Sequence, residues 1–478
     1  MSNYYTPGIY VEEISTLPPS VVEASTAIPA FLGYTKQTGY NGVDRKMVPI
    51  RINTMLEFLQ YFGGPPVPVV TAKAKMEGGF PVFDGFEKFT ESVYTLYYSL
   101  DLFFKNGGNY CYIVSLGAYD ADGAIAKTDF DAGLKALKKE DEPTLIVLSD
   151  AGGLGEVDYY SLCQDALAQC AELKNRFCIL DVKPVTAAGV NAVDKFRDKI
   201  GTENLQYGAV YYPYLKTSLS PLVDDINVTV KGVTGRISAD TPPKAKAATD
   251  LTASTDSSAK LSEIKTKYTS LYASIKKELN NPKYKVVLPA SSAVAGVYAS
   301  VDRDRGVWKA PANVGLNSVI EPVTKITAAE QEQLNVHVDG GKSVNAIRSF
   351  TGKGIMVWGA RTLAGNDNEW RYVSVRRLFN LIEDSASKAT FFAVFEPNDA
   401  TTWLKVQSMI DSYLYGLWQQ GALAGSTAKA AYFVKVGLGS TMTAQDILEG
   451  RMIVEIGVAA VRPAEFIILR FSHKLQEA

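Results

Sequence analysis

Thr144-Leu145-Ile146-Val147-Leu148 is an apolar run with no charge in it. A strand must be covered on both faces to carry such a run, and sheets covered on both faces are built mainly from parallel strands joined by helices. Working outward, residues 130–138 and 159–173 have helical spacing on either side of it. Tyr110-Cys111-Tyr112-Ile113-Val114, Arg176-Phe177-Cys178-Ile179-Leu180-Asp181 and Tyr207-Gly208-Ala209-Val210-Tyr211-Tyr212 read as further strands. This βαβαβ order predicts a mostly parallel α/β layer. Upstream, Phe31-Leu32-Gly33-Tyr34 reads as a buried strand. Residues 53–59 start a helix with Asn53 or Thr54 as cap, and Gly63-Gly64-Pro65-Pro66 ends it. Residues 90–104 form another helix, while the Gly- and Pro-punctuated stretch 67–91 reads as loop.

Residues 216–284 differ in character, being rich in Lys, Ala, Ser, Thr and Asp. Within them Leu261, Ile264, Tyr268, Leu271, Ile275 and Leu279 recur at helical spacing, which predicts an insertion made of a flexible or small β segment followed by one amphipathic helix. Beyond Leu288 the sequence is dense again, with helices expected at 371–387, 400–420 and 443–450 and strands at 452–461 and 465–471. The fold class is α/β (α+β overall). The expected segments are an N-terminal arm (1–22), an outer α/β region (23–340) carrying the variable insertion 216–284, a C-terminal assembly domain (341–462) and a C-terminal arm (463–478).

The two ends are strand-like without a local partner. Gly8-Ile9-Tyr10-Val11-Glu12-Glu13-Ile14 precedes the diproline Pro18-Pro19, which cannot continue a helix or an inner strand. Phe466-Ile467-Ile468-Leu469-Arg470-Phe471 follows Pro463 near the other end. An unpaired strand edge is a template for another chain.

Composition narrows the function. The 478 residues carry 49 basic and 51 acidic side chains, so there is no basic excess to neutralise phosphates, and nucleic acid is not an expected partner. The four cysteines, Cys111, Cys163, Cys170 and Cys178, have no metal-ligand spacing and read as small buried hydrophobes in a reducing compartment. No basic region followed by an apolar stretch opens the chain, and no apolar run approaches the ~20 residues that span a bilayer, so assembly without export is expected. With only His337 and His473, histidine-based catalysis is not expected. Gly153-Leu154-Gly155-Glu156-Val157-Asp158 has Asp where a dinucleotide loop needs its third Gly, and Gly341-Lys342-Ser343 lacks the first Gly of a phosphate loop. Neither catalytic, metal nor cofactor-binding residues are expected. A nucleotide-binding α/β enzyme is the alternative, and a complete phosphate loop would favour it.

Asp302-Arg303-Asp304-Arg305-Gly306-Val307-Trp308-Lys309 alternates opposite charges. On a strand this alternation would put like charges on one face, so an irregular loop anchored by Trp308 is expected. Asp302, Arg303, Asp304 and Arg305 are expected to form ion pairs with Arg361, Arg376, Arg377 and Glu383, fixing a junction between the α/β layer and the C-terminal domain.

Pro7 to Ile14, Phe31-Leu32-Gly33, Gly107-Gly108-Asn109-Tyr110, Tyr211-Tyr212-Pro213-Tyr214-Leu215, Ala293 to Ala299, Asp302 to Asn313, Asn345-Ala346-Ile347-Arg348-Ser349-Phe350, Val357 to Leu363, Tyr372-Val373-Ser374-Val375-Arg376-Arg377-Leu378, Val394-Phe395-Glu396-Pro397-Asn398-Asp399, Gly421 to Gly425 and Pro463-Ala464-Glu465-Phe466 form an ordered series. The series resembles the contractile tail sheath family of myophages, tailocins and extracellular contractile injection systems. The resemblance implies a structural subunit that polymerises as a helical sheath around an inner tube. An extended-to-contracted transition would then drive the tube through a target envelope. It implies arms that add strands to the small sheet of neighbouring subunits. The implied partners are further copies of the chain in stacked six-fold rings, the inner tube protein, baseplate and tail terminator or cap proteins, and sister sheath proteins, without membrane insertion. The implied location is the bacterial cytoplasm during assembly, then a phage tail or a released tail-like particle. Residues 216–284 have no fixed counterpart in the family pattern. Carrying both arms and the core on one chain favours a phage-like or extracellular system over the split sheaths of type VI secretion.

Overall fold

The computed structural model describes residues 21–78, 80–120, 122–185, 189–233, 258–337 and 340–468. The expected N-terminal arm strand Gly8 to Ile14 and the residues Leu469, Arg470 and Phe471 lie outside them. The chain divides into two compact units: Ser25–Asn380 with Arg462–Ala478, and Met1–Ala24 with Leu381–Val461.

The larger unit is organised by a nine-stranded sheet with Leu145–Leu148 inside it. That strand pairs in parallel with Pro29–Thr35 on one side and Phe177–Asp181 on the other. Cys111–Ala118, Gly208–Tyr212 and Asn345–Phe350 extend the parallel set. Antiparallel strands finish both edges, Pro49–Ile52 at one, Gly354–Val357 and then Val314–Gly315 at the other. The two-residue period of a strand sorts side chains into two cores. Ala30, Leu32, Ile146 and Leu148 face helices Lys127–Leu137, Glu156–Leu173 and Ala192–Lys199. Phe31, Leu145 and Val147 face helices Met55–Phe62, Leu96–Lys105 and Ser291–Arg305. Each fully buried Leu, Ile or Val contributes roughly 1.5–3 kcal/mol, so the layer is self-sufficient. Thr54 caps the helix Met55–Phe62, its hydroxyl accepting the Glu57 amide.

Residues 67–91 are not a loop. They form the hairpin Val69–Glu77 and Phe80–Thr90, which joins Val228–Lys231 and Ser258–Lys260 in a four-stranded sheet. Gly78 turns the hairpin, and Gly85, at φ +97°, sits where the register shifts. Pro81 lies on the edge strand, where its missing N–H costs no ladder bond. The punctuation that suggested a loop is thus the turn and bulge of a strand pair. Within 216–284, Leu261–Ile264 and Thr269–Leu279 pack on this sheet through Leu261, Ile264, Leu271, Ile275 and Leu279. The expected small β segment is the pair Val228–Lys231 and Ser258–Lys260, the expected single helix is two, and together they are the second half of a small body whose first half comes from the hairpin. Its opening residues Lys216 and Thr217 belong to a separate three-stranded sheet, Leu215–Thr217 with Val287–Leu288 and Val319–Pro322.

Strands Asn345–Phe350 and Gly354–Val357 sit in the nine-stranded sheet, so the larger unit runs past the expected boundary at 341 and ends within the helix Val373–Thr390. The smaller unit holds the rest of that helix, Ala400–Gln419, Ala444–Leu448 and the two-stranded sheet Tyr432–Val436 with Val454–Val458. Residues 465–468 form no strand. Among the described residues no helix is long and apolar enough to cross a membrane.

Candidate assembly interface

Within the larger unit the C-terminal segment is pinned at one residue. Glu465 is gripped by Arg361, whose Nε donates to its two oxygens at 2.9 and 3.2 Å and whose second terminal nitrogen donates at 2.5 Å. Tyr372 adds its hydroxyl at 3.3 Å. Arg361 is itself placed by Asn345, which accepts its amide at 2.8 Å and donates to its carbonyl at 2.8 Å. The Arg361 side chain is 4% exposed and that of Glu465 19%. Such a forked, charge-assisted pair is strong and directional. Past this pin, Phe466, Ile467 and Ile468 are 71–81% exposed. Three consecutive apolar side chains are thus left largely in water. Arg361 had been expected to meet the 302–305 charges. Its partner instead lies at a separation that no local pattern reveals.

In the smaller unit, strands Tyr432–Val436 and Val454–Val458 pair with each other and, among the described residues, with no third strand. The strand Tyr432–Val436 rests on the helix Ala400–Gln419, where Val406, Met409, Ile410, Leu414 and Leu417 are buried. On the outer face the Phe433 ring lies across Gly457, where any β-carbon would come within 2.2 Å of it. Two-stranded sheets are marginal alone, and among the described residues no further strand covers the edges of this one. The chain entering this unit is also held, the Ala24 amide donating to Ser385 Oγ at 3.0 Å.

The charged stretch behaves differently from the loop expected of it. Asp302, Arg303, Asp304 and Arg305 form the last turn of the helix Ser291–Arg305, which stops at Gly306 with φ +85°. The helical period of 3.6 separates charges that a strand would have stacked. Asp302 alone turns inward, receiving both terminal nitrogens of Arg377 at 3.0 and 2.5 Å. Arg377 also lies over Tyr298, whose hydroxyl bonds Tyr211 at 2.8 Å. Arg376 stacks on Trp370 at 4.1 Å and on Tyr207, and donates to Asn380. Arg303 and Asp304 pair with each other in solvent, while Trp308 folds its ring over Gly306. Asp302 and Arg377 both belong to the larger unit, so their pair fastens two helices inside it rather than joining two domains, and Glu383 belongs to the smaller unit.

The crevice at the carboxyl ends of parallel strands, where doubly wound enzymes hold ligands, is filled by the chain's own carboxylates. Asp150 accepts the amides of Tyr34, Thr95 and Leu96 at 2.7, 2.5 and 3.0 Å, capping the helix Leu96–Lys105. Asp181 accepts the Ser291 amide at 2.9 Å and caps the helix Ser291–Arg305. Burial raises both carboxyls, to about 6 and about 7, against the pull of these hydrogen bonds. Lys342, in the stretch that resembles a phosphate loop, donates to the Arg197 carbonyl at 2.5 Å, and Ser343 to the Asn335 carbonyl at 2.6 Å. Gly153 closes a 3-10 turn and Gly155 precedes the helix Glu156–Leu173. These groups bond the fold itself.

Known proteins match this chain over most of its length. Residues 184–363 match the family model of the phage tail sheath protein central domain, and residues 365–474 that of the phage tail sheath C-terminal domain. The sheath complex of an extracellular contractile injection system, PVC, in its contracted state is 32% identical, covers 99% of both chains and superposes with a TM-score of 0.64. The contracted helical sheath of the anti-feeding prophage is also 32% identical, over 98% of this chain and 100% of that one, with a TM-score of 0.63. The tail sheath protein of Vibrio phage KVP40 is 25% identical over 187 residues, 38% of this chain and 26% of that protein, so the match spans about a quarter of that relative's length.

Proposed function

We propose, because this chain belongs to the contractile tail sheath family, that its copies are joined into a helical sheath by strands lent from the two chain ends. The observation that carries this reading is the exposure of Phe466, Ile467 and Ile468 immediately after a pinned Glu465. The two-stranded sheet Tyr432–Val436 with Val454–Val458 is the complementary surface. Strand addition supplies main-chain hydrogen bonds, and alternate side chains supply register. The N-terminal stretch Gly8 to Ile14 is the second lent strand.

A contact in which one copy's end meets a different surface of the next does not close on itself, so it propagates as a helix. The partners are further copies in stacked six-fold rings, an inner tube protein, baseplate and terminator or cap proteins, and sister sheath proteins. Contraction is a rearrangement of whole subunits between two packed states, with the arms as tethers, and its free energy comes from contacts made on assembly. Assembly takes place in the bacterial cytoplasm, ahead of incorporation into a phage tail or a released tail-like particle. Electron microscopy of the purified subunit, alone and with its tube protein, tests this: striated tubes are expected. A monodisperse monomer at high concentration that turns over nucleotide would overturn it.

A further inference from the structure

We propose that Arg361 and Tyr372 form a latch that holds Glu465 and so sets the point from which the C-terminal arm reaches a second copy of this chain. This inference rests on the strand-lending reading above. The smaller unit keeps the chain up to Val461, whose amide donates to the Ala422 carbonyl at 3.3 Å. Four residues later the larger unit takes hold, through the forked pair of Arg361 with Glu465 and the Tyr372 hydroxyl. The hold is prepared in advance. Asn345, on a strand of the nine-stranded sheet, fixes the Arg361 backbone from both sides, and Arg361 also reaches the Asn335 carbonyl at 3.3 Å. Pro463 just before the latch stiffens the approach.

A cleft of about 410 Å³ is lined by Pro463, Glu465 and Phe466 together with Ala310, Trp358 and Tyr372. The segment thus lies along a groove at the latch, which Phe466 and Ile467 still line with one side while most of each side chain, like that of Ile468, is open to solvent. With the latch closed, the free arm starts at Phe466; with it open, the arm swings from Val461. Four extra residues add about 14 Å of reach. A longer, looser tether lowers the effective concentration of the arm at the neighbouring sheet and blurs its register. The latch residues are positioning residues: they touch the arm of their own subunit and act on the partner through it.

The test reads arm motion and assembly separately from folding. All four native cysteines are buried, so a nitroxide on Phe466→Cys reports the arm alone. Glu465→Gln removes the charge with little change of shape. The label should become freely mobile, and the protein concentration giving half-maximal sheath should rise roughly ten-fold. If Glu465→Gln lowers the melting temperature while leaving label motion and assembly concentration unchanged, the pair serves only the fold and the latch is overturned. Should that variant fail to fold, Tyr372→Phe keeps the ion pair and loosens the latch. It should shift both readouts in the same direction by a smaller factor, and no shift overturns the proposal. Deleting residues 463–478 separates the two readings: sheath that still forms refutes arm lending itself, whereas loss of sheath on deletion with a silent Glu465→Gln refutes the latch alone.

Discussion

The strands Leu145–Leu148 and Val454–Val458 make opposite demands on their surroundings. The first is buried at every residue and hydrogen-bonded on both sides within its own unit. The second has, among the described residues, one partner strand and is fully buried nowhere along its length. On the proposed function, the difference separates what the subunit completes by itself from what other copies would complete. The α/β layer satisfies its helix ends with its own carboxylates, Asp150 and Asp181, while the small sheet and the segment after Glu465 end in open edges and exposed apolar side chains.

Removing the unfinished parts should therefore abolish assembly and spare the subunit. Truncation of residues 1–16 or 463–478 is expected to eliminate ordered sheath in electron micrographs while the melting temperature of the monomer stays within a few degrees. A truncation that unfolds the monomer would move that arm into the core and erase the contrast. Within the finished part, one-sided loss of the buried pair Arg377–Asp302, whose side chains are 4% and 6% exposed, should be the costliest change. Arg377→Ala is expected to cost about 3–5 kcal/mol in denaturant unfolding, because Asp302 stays desolvated without its partner. Asp304→Ala, removing a solvent-exposed partner of Arg303, should cost less than about 1 kcal/mol. Equal effects would mean that burial does not distinguish them.

Asp181 sharpens the comparison through pH. Burial lifts its carboxyl from 3.8 to about 7, so the folded chain favours the neutral acid. That contribution is complete below about pH 4 and is lost as pH rises through about 7, at no more than roughly 1.4 kcal/mol per pH unit. Melting temperature should thus fall from pH 5 to pH 8, and Asp181→Asn should flatten this part of the profile. A slope unchanged by the substitution would exclude Asp181 as its source. The smallest effect is expected at the insertion. Strands Val228–Lys231 and Ser258–Lys260 are antiparallel neighbours, so a short Gly-rich turn can replace residues 234–257. Loop shortening changes closure entropy slowly, and stability should move by about 1 kcal/mol or less.

Much of the α/β layer was legible because apolar runs such as 145–148 state their burial directly, and Thr54 announces its helix by local capping. Less legible was whatever depends on distant partners. The hairpin Val69–Glu77 and Phe80–Thr90 read as loop because its glycines and proline are a turn, a bulge and an edge residue, roles that only the pairing strands define. Asp302 to Arg305 read as loop because the alternation was weighed against a strand, whereas a helix spreads those charges around its surface. The helix Ser291–Arg305 has Ala290 at its cap position and no local side-chain cap, since Asp181 caps it from a strand far away in sequence. Arg361 was among the expected ion-pair residues, yet its partner Glu465 lies 104 residues on. The one sequence hint was Pro463-Ala464-Glu465-Phe466 beside a strand-like end.

The most direct test of the division between finished and unfinished parts is a mixed cross-linking experiment. One subunit preparation carries Ile468→Cys and another Glu455→Cys, on the strand Val454–Val458, and the two are assembled together and joined with a short thiol-specific cross-linker. Arm lending predicts a cross-linked product containing one chain of each kind, formed in assembled sheath and absent from dilute monomer. A single chain bearing both substitutions that links only to itself, with no intermolecular product in the sheath, would contradict it.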